Sequence, residues 1–188
     1  SYSPNKGEGA ALKYAFDYAQ KNDFDYAITI DADGQHFASD LPLFFDAIER
    51  NYGAMIIGSR FLKQENMPAG NTFANKFSNF WFTVQTGKKL ADTQTGYRAY
   101  PLFKMGKMRS FSKRYESELE YLQRMAWRNI KIVSIPIQVY YAPEGQRVSH
   151  FRKGRDFTRI SVLNTLMCFV AILYGYPSMF LRKLFKSK

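Results

Sequence analysis

Cysteine is almost absent from this chain. A single residue, Cys168, occurs among 188, which excludes a disulfide framework and a cysteine-ligated metal centre. Its place inside an apolar run marks it as a core or membrane-facing side chain, and so few thiols fit a reducing compartment. Histidine is nearly as scarce, with two residues. His150 has no serine or cysteine motif beside it, so a nucleophile-histidine triad is excluded and hydrolysis of that kind with it. Acidic residues are outnumbered, 16 against 27 Lys and Arg, for a net charge of +11. The apolar stretch from Ile160 to Leu181 includes Asn164, Thr165, Gly175 and Pro177, which leaves about 14 strongly apolar positions where a bilayer span needs about 20. The chain shows no internal repeat and no low-complexity linker. It also lacks the strand-helix-strand unit that opens a nucleotide-binding sheet, so the fold is expected to be N-terminally incomplete.

What is present amounts to one core. Apolar residues make up 46% of the sequence, enough at this length for a single sizeable domain. Ala11, Leu12, Ala15, Phe16 and Ala19 recur at helical spacing and predict a helix over 8–20. A strand is expected at 26–31, a helix at 41–51 and a second, apolar strand at 54–58. The helix expected over 71–86 carries Phe73, Phe77, Phe80, Trp81 and Val84 at helical spacing, a pattern that reads as core rather than as a platform for stacking bases. A further helix at 115–127 precedes an alternating strand over 130–140. Strand and helix alternate throughout, which predicts an α/β fold with a mostly parallel sheet.

The chemistry gathers first at Tyr26 to His36, where a buried-type strand runs into Asp31, Asp33, Gly34 and Gln35. Residues i and i+2 of a strand share one side, so the two carboxylates can face one hard cation. Oxygen donors suit Mg²⁺ or Mn²⁺, and the carboxyl end of a strand in an open α/β sheet is where a diphosphate binds. Capping of the next helix is the competing use for such acids. Asp40, just ahead of Leu41-Pro42, already supplies that start signal and leaves Asp31 and Asp33 spare. Gln35 lies two residues beyond Asp33 and could bring its amide oxygen to the same ion, while His36 reads as a polar wall.

Four motifs then follow in order: Ile28 to His36 around Asp-Ala-Asp-Gly-Gln, Ile57-Gly58-Ser59-Arg60-Phe61, Asp92-Thr93-Gln94-Thr95-Gly96-Tyr97-Arg98-Ala99, and Arg147-Val148-Ser149-His150-Phe151. Together they resemble family 2 glycosyltransferases, in particular the dolichyl- or polyprenyl-phosphate sugar synthases and their bacterial relatives, over nearly the whole chain. The resemblance implies a glycosyltransferase A (Rossmann-like) fold, Mg²⁺ or Mn²⁺, and inverting transfer from a nucleotide-sugar. Carried onto this chain, it gives Asp33 and Gln35 as metal ligands and Asp31 as a donor-side residue facing ribose and metal. Arg60 and Arg147 become phosphate contacts, Asp92 the general base or organiser on the acceptor side, and Glu118 a wall of the sugar pocket. Arg98 stands either in the catalytic turn or as a structural ion-pair partner of Asp92. Asn5 to Ala10 resembles the family's Asn-x-Gly-Lys-Gly stretch, which places Gly7 at the donor, but Glu8 stands where lysine is usual and implies altered contacts near the nucleotide. Pro68 to Thr72 also lacks arginines found in many relatives, which Lys76 offsets in part.

Basic residues bracket the apolar C-terminal run, with Arg147, Arg152, Lys153, Arg155 and Arg159 before it and Arg182, Lys183, Lys186 and Lys188 after it. Nucleic acid is the poorer partner for that arrangement and an anionic membrane surface the better one. The segment is therefore expected to lie in the interface, with packing on the domain or a span in a longer chain as the alternatives. The expected organisation is a catalytic domain over 1–151 and a basic, apolar, membrane-proximal helical segment over 152–188, peripheral or anchored at the cytoplasmic face of a membrane. The expected acceptor is a polyprenyl phosphate or a glycolipid. A nucleotidyltransferase, which also needs carboxylates and Mg²⁺, and a non-catalytic basic module binding anionic lipid or nucleic acid are the alternative functions.

Overall fold

The structure is a computed structural model that describes residues 7–60, 69–106, 116–141 and 153–185. Its elements, in chain order, are α1 (Glu8–Lys21), β1 (Tyr26–Thr29), α2 (Leu41–Arg50), β2 (Met55–Arg60), α3 (Ala69–Thr86), β3 (Arg98–Pro101), α4 (Leu102–Met105), α5 (Glu116–Trp127), β4 (Ile132–Ile137), α6 (Lys153–Val170) and α7 (Tyr176–Phe185). The four strands form one sheet in the order β1-β3-β2-β4. Alternation along the strands feeds two apolar layers. Met55, Ile57 and Tyr100 pack with Phe16, Phe82 and Leu122 on one face, while Ile56, Tyr97 and Ala99 pack with Phe44 and Ile137 on the other. A sheet covered on both faces is what the alternation of strands and helices predicts.

The sheet is mixed, which amends the expectation of mostly parallel order. β1, β2 and β4 run one way, β2 pairing β4 in parallel from Met55↔Ile132 to Arg60↔Ile137. β3 lies between β1 and β2 and is antiparallel to both. Its direction follows from the path before it: Lys88 Nζ reaches the carbonyl of Ile130, ahead of β4, whereas Asp92 meets Arg60 at the far end of β2. The connection has therefore climbed the sheet, and β3 can only descend. Pro136, opposite Ser59, is tolerated because β4 is an edge of the described sheet and needs no donor on its outer side.

Three further expectations are corrected. β1 ends at Thr29, so Asp31 and Asp33 lie in the loop beyond the strand and not on its alternating face. Thr29 Oγ1 donates to the carbonyl of Gly96 at 2.8 Å, and the Thr-Gly turn replaces the ladder from there. Asp40 occupies the position before α2 but makes no side-chain cap; it is buried, and its Oδ2 accepts the Gln138 N–H at 2.8 Å, tying α2 to the end of β4. Finally, the aromatic stripe of α3 is not core. Phe73, Phe80 and Val84 are 67%, 59% and 43% exposed, and the inner face carries Asn75, Ser78, Phe82, Gln85 and Thr86.

α6 and α7 join through a π-helical turn at Ala171–Gly175. The result is one helix, Ile160–Phe185, of 26 residues with an 18-residue stretch of mean hydropathy 1.6, by length and composition enough to cross a membrane. The polar and small residues that shorten its apolar run are accommodated locally. Asn164 is bonded by Gln85 Nε2, and Gly175 lies so close to the Trp127 indole that a Cβ would come within 2.6 Å of it. Pro177 lies just beyond the π-helical turn, where the regular i→i−4 ladder that its missing N–H would break is already interrupted.

Candidate active site

Three parallel strands bring their C-terminal ends, and the antiparallel β3 its N-terminal end, to one edge of the sheet. That edge collects the loop with Asp31 and Asp33 after β1, Arg60 at the end of β2 and the 92–98 turn before β3. The loop after β4 closes the same edge, with Tyr140 N–H donating to the Gln35 carbonyl at 2.9 Å and a single bridge between His36 and Val139. Asp33 Oδ1 accepts the Gln35 N–H at 2.9 Å, a turn that fixes the loop and leaves Asp33 at the surface.

The acids converge around Asp31. Its carboxylate lies with those of Glu8 and Glu118 so that one oxygen of each falls within 4.8 Å of the others, and His36 Nε2 stands 3.9 Å from Asp31 Oδ2. Each arrives from a different element. Glu118 comes from the first turn of α5, and Glu8 opens α1 directly after Gly7. Gly7 precedes the helix at φ 92°, ψ 164°, a conformation that a side chain would strain. Burial pushes the Asp31 carboxyl up, with Asp33 adding to the rise and His36 opposing it. Burial likewise pushes Glu8 up, and it pushes Glu118 to about 7 against the pull of Arg98.

Because Glu118 holds its proton to higher pH in the folded chain than in the unfolded one, stability in chelator should fall as pH rises from about 4.5 to about 7 and flatten above that. The change is expected to be at most ~3 kcal/mol, at ~1.4 kcal/mol per pKa unit. Urea titrations across that range check it, and Glu118→Gln should remove the share of the slope that Glu118 contributes, leaving that of Asp31 and Glu8.

Gly96 explains how Asp31 fits. A Cβ at position 96 would lie 2.3 Å from both Asp31 carboxylate oxygens, so only glycine lets the carboxylate lie against the turn. Gly96→Ala is expected to displace Asp31 by about 1 Å, a misplacement on the scale that costs about 10²-fold in the rate of a reaction at such a site. Steady-state kinetics measure it, and circular dichroism should show the fold unchanged.

Asp92 and Arg60 form a closed pair. Asp92 is fully buried. Its Oδ2 accepts Arg60 Nε at 2.6 Å and the Arg60 backbone N–H at 3.2 Å, while Oδ1 accepts Arg60 Nη2 at 2.8 Å and the Gln94 N–H at 3.1 Å. Such a fork holds the guanidinium plane at the end of β2. Arg98 is not Asp92's ion-pair partner. It is fully buried, its Nε, Nη1 and Nη2 donate to the carbonyls of Thr95, Glu118 and Thr93 at 2.6, 2.7 and 2.9 Å, and Nη2 lies 3.8 Å from Glu118 Oε2. It thereby ties the turn to the start of α5. Arg147 and the motif around it lie outside the described residues.

Sequence reasoning missed the support beneath the turn. Asn79 of α3 accepts the Thr93 N–H at 3.1 Å and donates to the Ala91 carbonyl at 2.8 Å, and Thr93 Oγ1 lies 2.8 Å from both Asn79 Oδ1 and Ser78 Oγ. The signal available was two adjacent polar residues inside an otherwise aromatic helix.

Oxygen donors and an arginine fork above the carboxyl ends of parallel strands define an α/β protein of the glycosyltransferase A type. A solved structure supports that fold: glucosyl-3-phosphoglycerate synthase from Mycobacterium tuberculosis, in complex with uridine diphosphate, aligns with a TM-score of 0.56 at 14% identity, covering 89% of this chain and 55% of that one. The chain belongs to glycosyl transferase family 2, whose model matches residues 2–114. It is 29% identical over 145 residues to a UDP-N-acetylglucosamine–dolichyl-phosphate N-acetylglucosaminyltransferase of Methanococcus voltae, covering 74% of this chain and 58% of that protein. It is 28% identical over 137 residues to a polyprenol monophosphomannose synthase of Mycolicibacterium smegmatis, covering 70% and 51%. The chain thus spans little more than half the length of these relatives.

Proposed function

We propose that this chain performs the inverting transfer of a sugar from a nucleotide-sugar to a lipid-linked acceptor, a polyprenyl phosphate or a glycolipid, at the cytoplasmic face of a membrane. One observation carries the reading: all the family's described motifs meet at a single sheet edge, where hard oxygen donors stand beside an anchored arginine. Relatives named for dolichyl-phosphate and polyprenol acceptors support the acceptor class.

The donor set fits Mg²⁺ or Mn²⁺, since every candidate ligand is a carboxylate or amide oxygen. Asp33 and Gln35 would hold the ion from the rim, with Asp31 facing it. Bound there, it would neutralise charge on the departing nucleoside diphosphate. Asp31, Glu8 and Glu118 line the donor side, where Glu8 replaces a lysine and makes the pocket more acidic than in the lysine-bearing relatives. Arg60 supplies a rigid cation for a phosphate, with Asp92 as its organiser. Both Asp92 oxygens are occupied, which favours that role over proton abstraction, and an ionised lipid phosphate needs no base. Arg98 is a positioning residue that fixes the turn under the sugar.

The test is a product assay with nucleotide-sugars, Mn²⁺ and a polyprenyl phosphate. Release of nucleoside diphosphate together with a glycosylated lipid supports the reading; pyrophosphate release marks nucleotidyl transfer instead and overturns it.

A further inference from the structure

The apolar C-terminal helix is not free-standing. Its contacts with the domain run from Asn164, bonded by Gln85, through Met167 and Ala171 against Trp127, to the Met179 carbonyl, which accepts Asn129 Nδ2 at 2.9 Å. Fifteen residues of helix span ~22 Å, so most of its length is fastened along α3 and α5. Standing across a bilayer would draw those helices and their polar ends in with it. The opposite face is bare: Phe169, Leu173 and Phe180 are 62%, 80% and 64% exposed.

α3 carries a matching apolar face, on which Phe73, Phe80 and Val84 are exposed and Phe77 and Trp81 half-buried. Phe73, Phe77, Phe80 and Trp81 make successive ring contacts along it, at centroid distances of 6.4, 6.1 and 5.4 Å. The stripe ends at Val84, whose carbonyl accepts the Tyr176 hydroxyl at 2.5 Å, and a Cβ at Gly87 would come within 3.8 Å of the Tyr176 ring. The apolar faces of α3 and α7 therefore meet. Charge is distributed to suit one kind of partner: 69–91 and 157–188 contain no acidic residue, and they hold Lys76, Lys88, Lys89, Arg182 and Lys183 among other cations.

We propose that the outer face of α3 and that of the C-terminal helix form one surface that rests on an anionic lipid leaflet, with the helix lying along the membrane and the α3 aromatics inserted at headgroup depth. This rests on the membrane reading above and adds α3 to it. Aromatic and aliphatic side chains flanked by lysine and arginine, with no acid to oppose them, are the composition that partitions into such an interface.

The chain's two tryptophans permit a direct test, because Trp81 lies in the α3 stripe and Trp127 is fully buried. The probe is vesicles of phosphatidylcholine and phosphatidylglycerol with acyl chains brominated near the headgroup or deep in the chain. Tryptophan emission should be quenched more by the shallow bromines, and Trp81→Phe should remove the quenching. Replacing Phe73, Phe80 and Val84 together by serine should weaken vesicle binding at least about tenfold, with nucleoside diphosphate binding unchanged. Vesicle binding without quenching of Trp81 would overturn the role of α3 while leaving the membrane reading intact, and absence of vesicle binding would overturn both. Stronger quenching by the deep bromines would contradict the in-plane placement. A dimer in lipid-free solution that the triple variant dissociates would assign the surface to a second copy.

Discussion

Asp31→Asn is expected to lower kcat/KM for sugar transfer by about 10³, the scale associated with losing one preorganised electrostatic contact at the reacting centre. The substitution keeps the shape of the side chain against Gly96 and removes only its charge. Asp31 is the centre of the acidic group: its carboxylate lies within 4.8 Å of those of Glu8 and Glu118, 3.9 Å from His36 Nε2 and against the turn before β3. Its neighbour Asp33 projects at the surface, and Asp33→Ala should abolish the metal-dependent component with the fold retained. The two variants separate the roles. Asp33→Ala should weaken Mn²⁺ dependence foremost, whereas Asp31→Asn should impair transfer even at saturating Mn²⁺. Steady-state kinetics at varied Mn²⁺ measures both, and normal turnover by Asp33→Ala would refute its role.

Arg98→Met should destabilise the fold by about 3–5 kcal/mol, the cost of removing one partner from a buried charged network. Three carbonyls lose their donors and Glu118 loses the cation that opposes its burial. At the temperature where the variant stays folded, KM for the donor should rise more than kcat falls, since the turn is loosened and no reacting group is removed. Urea denaturation and donor titration test the two halves of that statement. An unchanged stability would show that Arg98 is not the tie between the turn and α5.

Much of the fold was legible because periodicity reports burial. Helices at 8–20, 41–51 and 115–127 were placed within a residue or so, since their apolar spacing coincides with the faces that pack on the sheet. β3 was illegible for a physical reason: Arg98, Ala99, Tyr100 and Pro101 include a charge and a proline, and their strand character comes from neighbours on both sides. The α3 stripe misled in the opposite sense. Helical spacing identifies an apolar face but not what covers it, and here buried polar residues took the inner face, with Ser78 bonded to the turn and Gln85 to α6.

The site was partly legible in the same way. The Asp-Ala-Asp-Gly-Gln loop, Arg60 and the Asp92–Arg98 turn do meet at one edge. Spacing along the chain could not show that Arg60, and not Arg98, holds Asp92, because that pairing crosses between β2 and the connection to β3. Nor could it show that Glu8, noted as a departure from lysine, reaches the same small volume as Asp31 and Glu118 from two other elements.

The central claim is that Asp33 and Gln35, with Asp31 facing them, hold a divalent cation serving a nucleoside diphosphate. Electron paramagnetic resonance titration of Mn²⁺ into the chain, with and without a nucleoside diphosphate, tests it most directly. A single bound Mn²⁺ whose affinity rises with the nucleotide and is lost in Asp33→Ala is the expected result. Mn²⁺ binding that ignores both the nucleotide and the substitution would contradict the account.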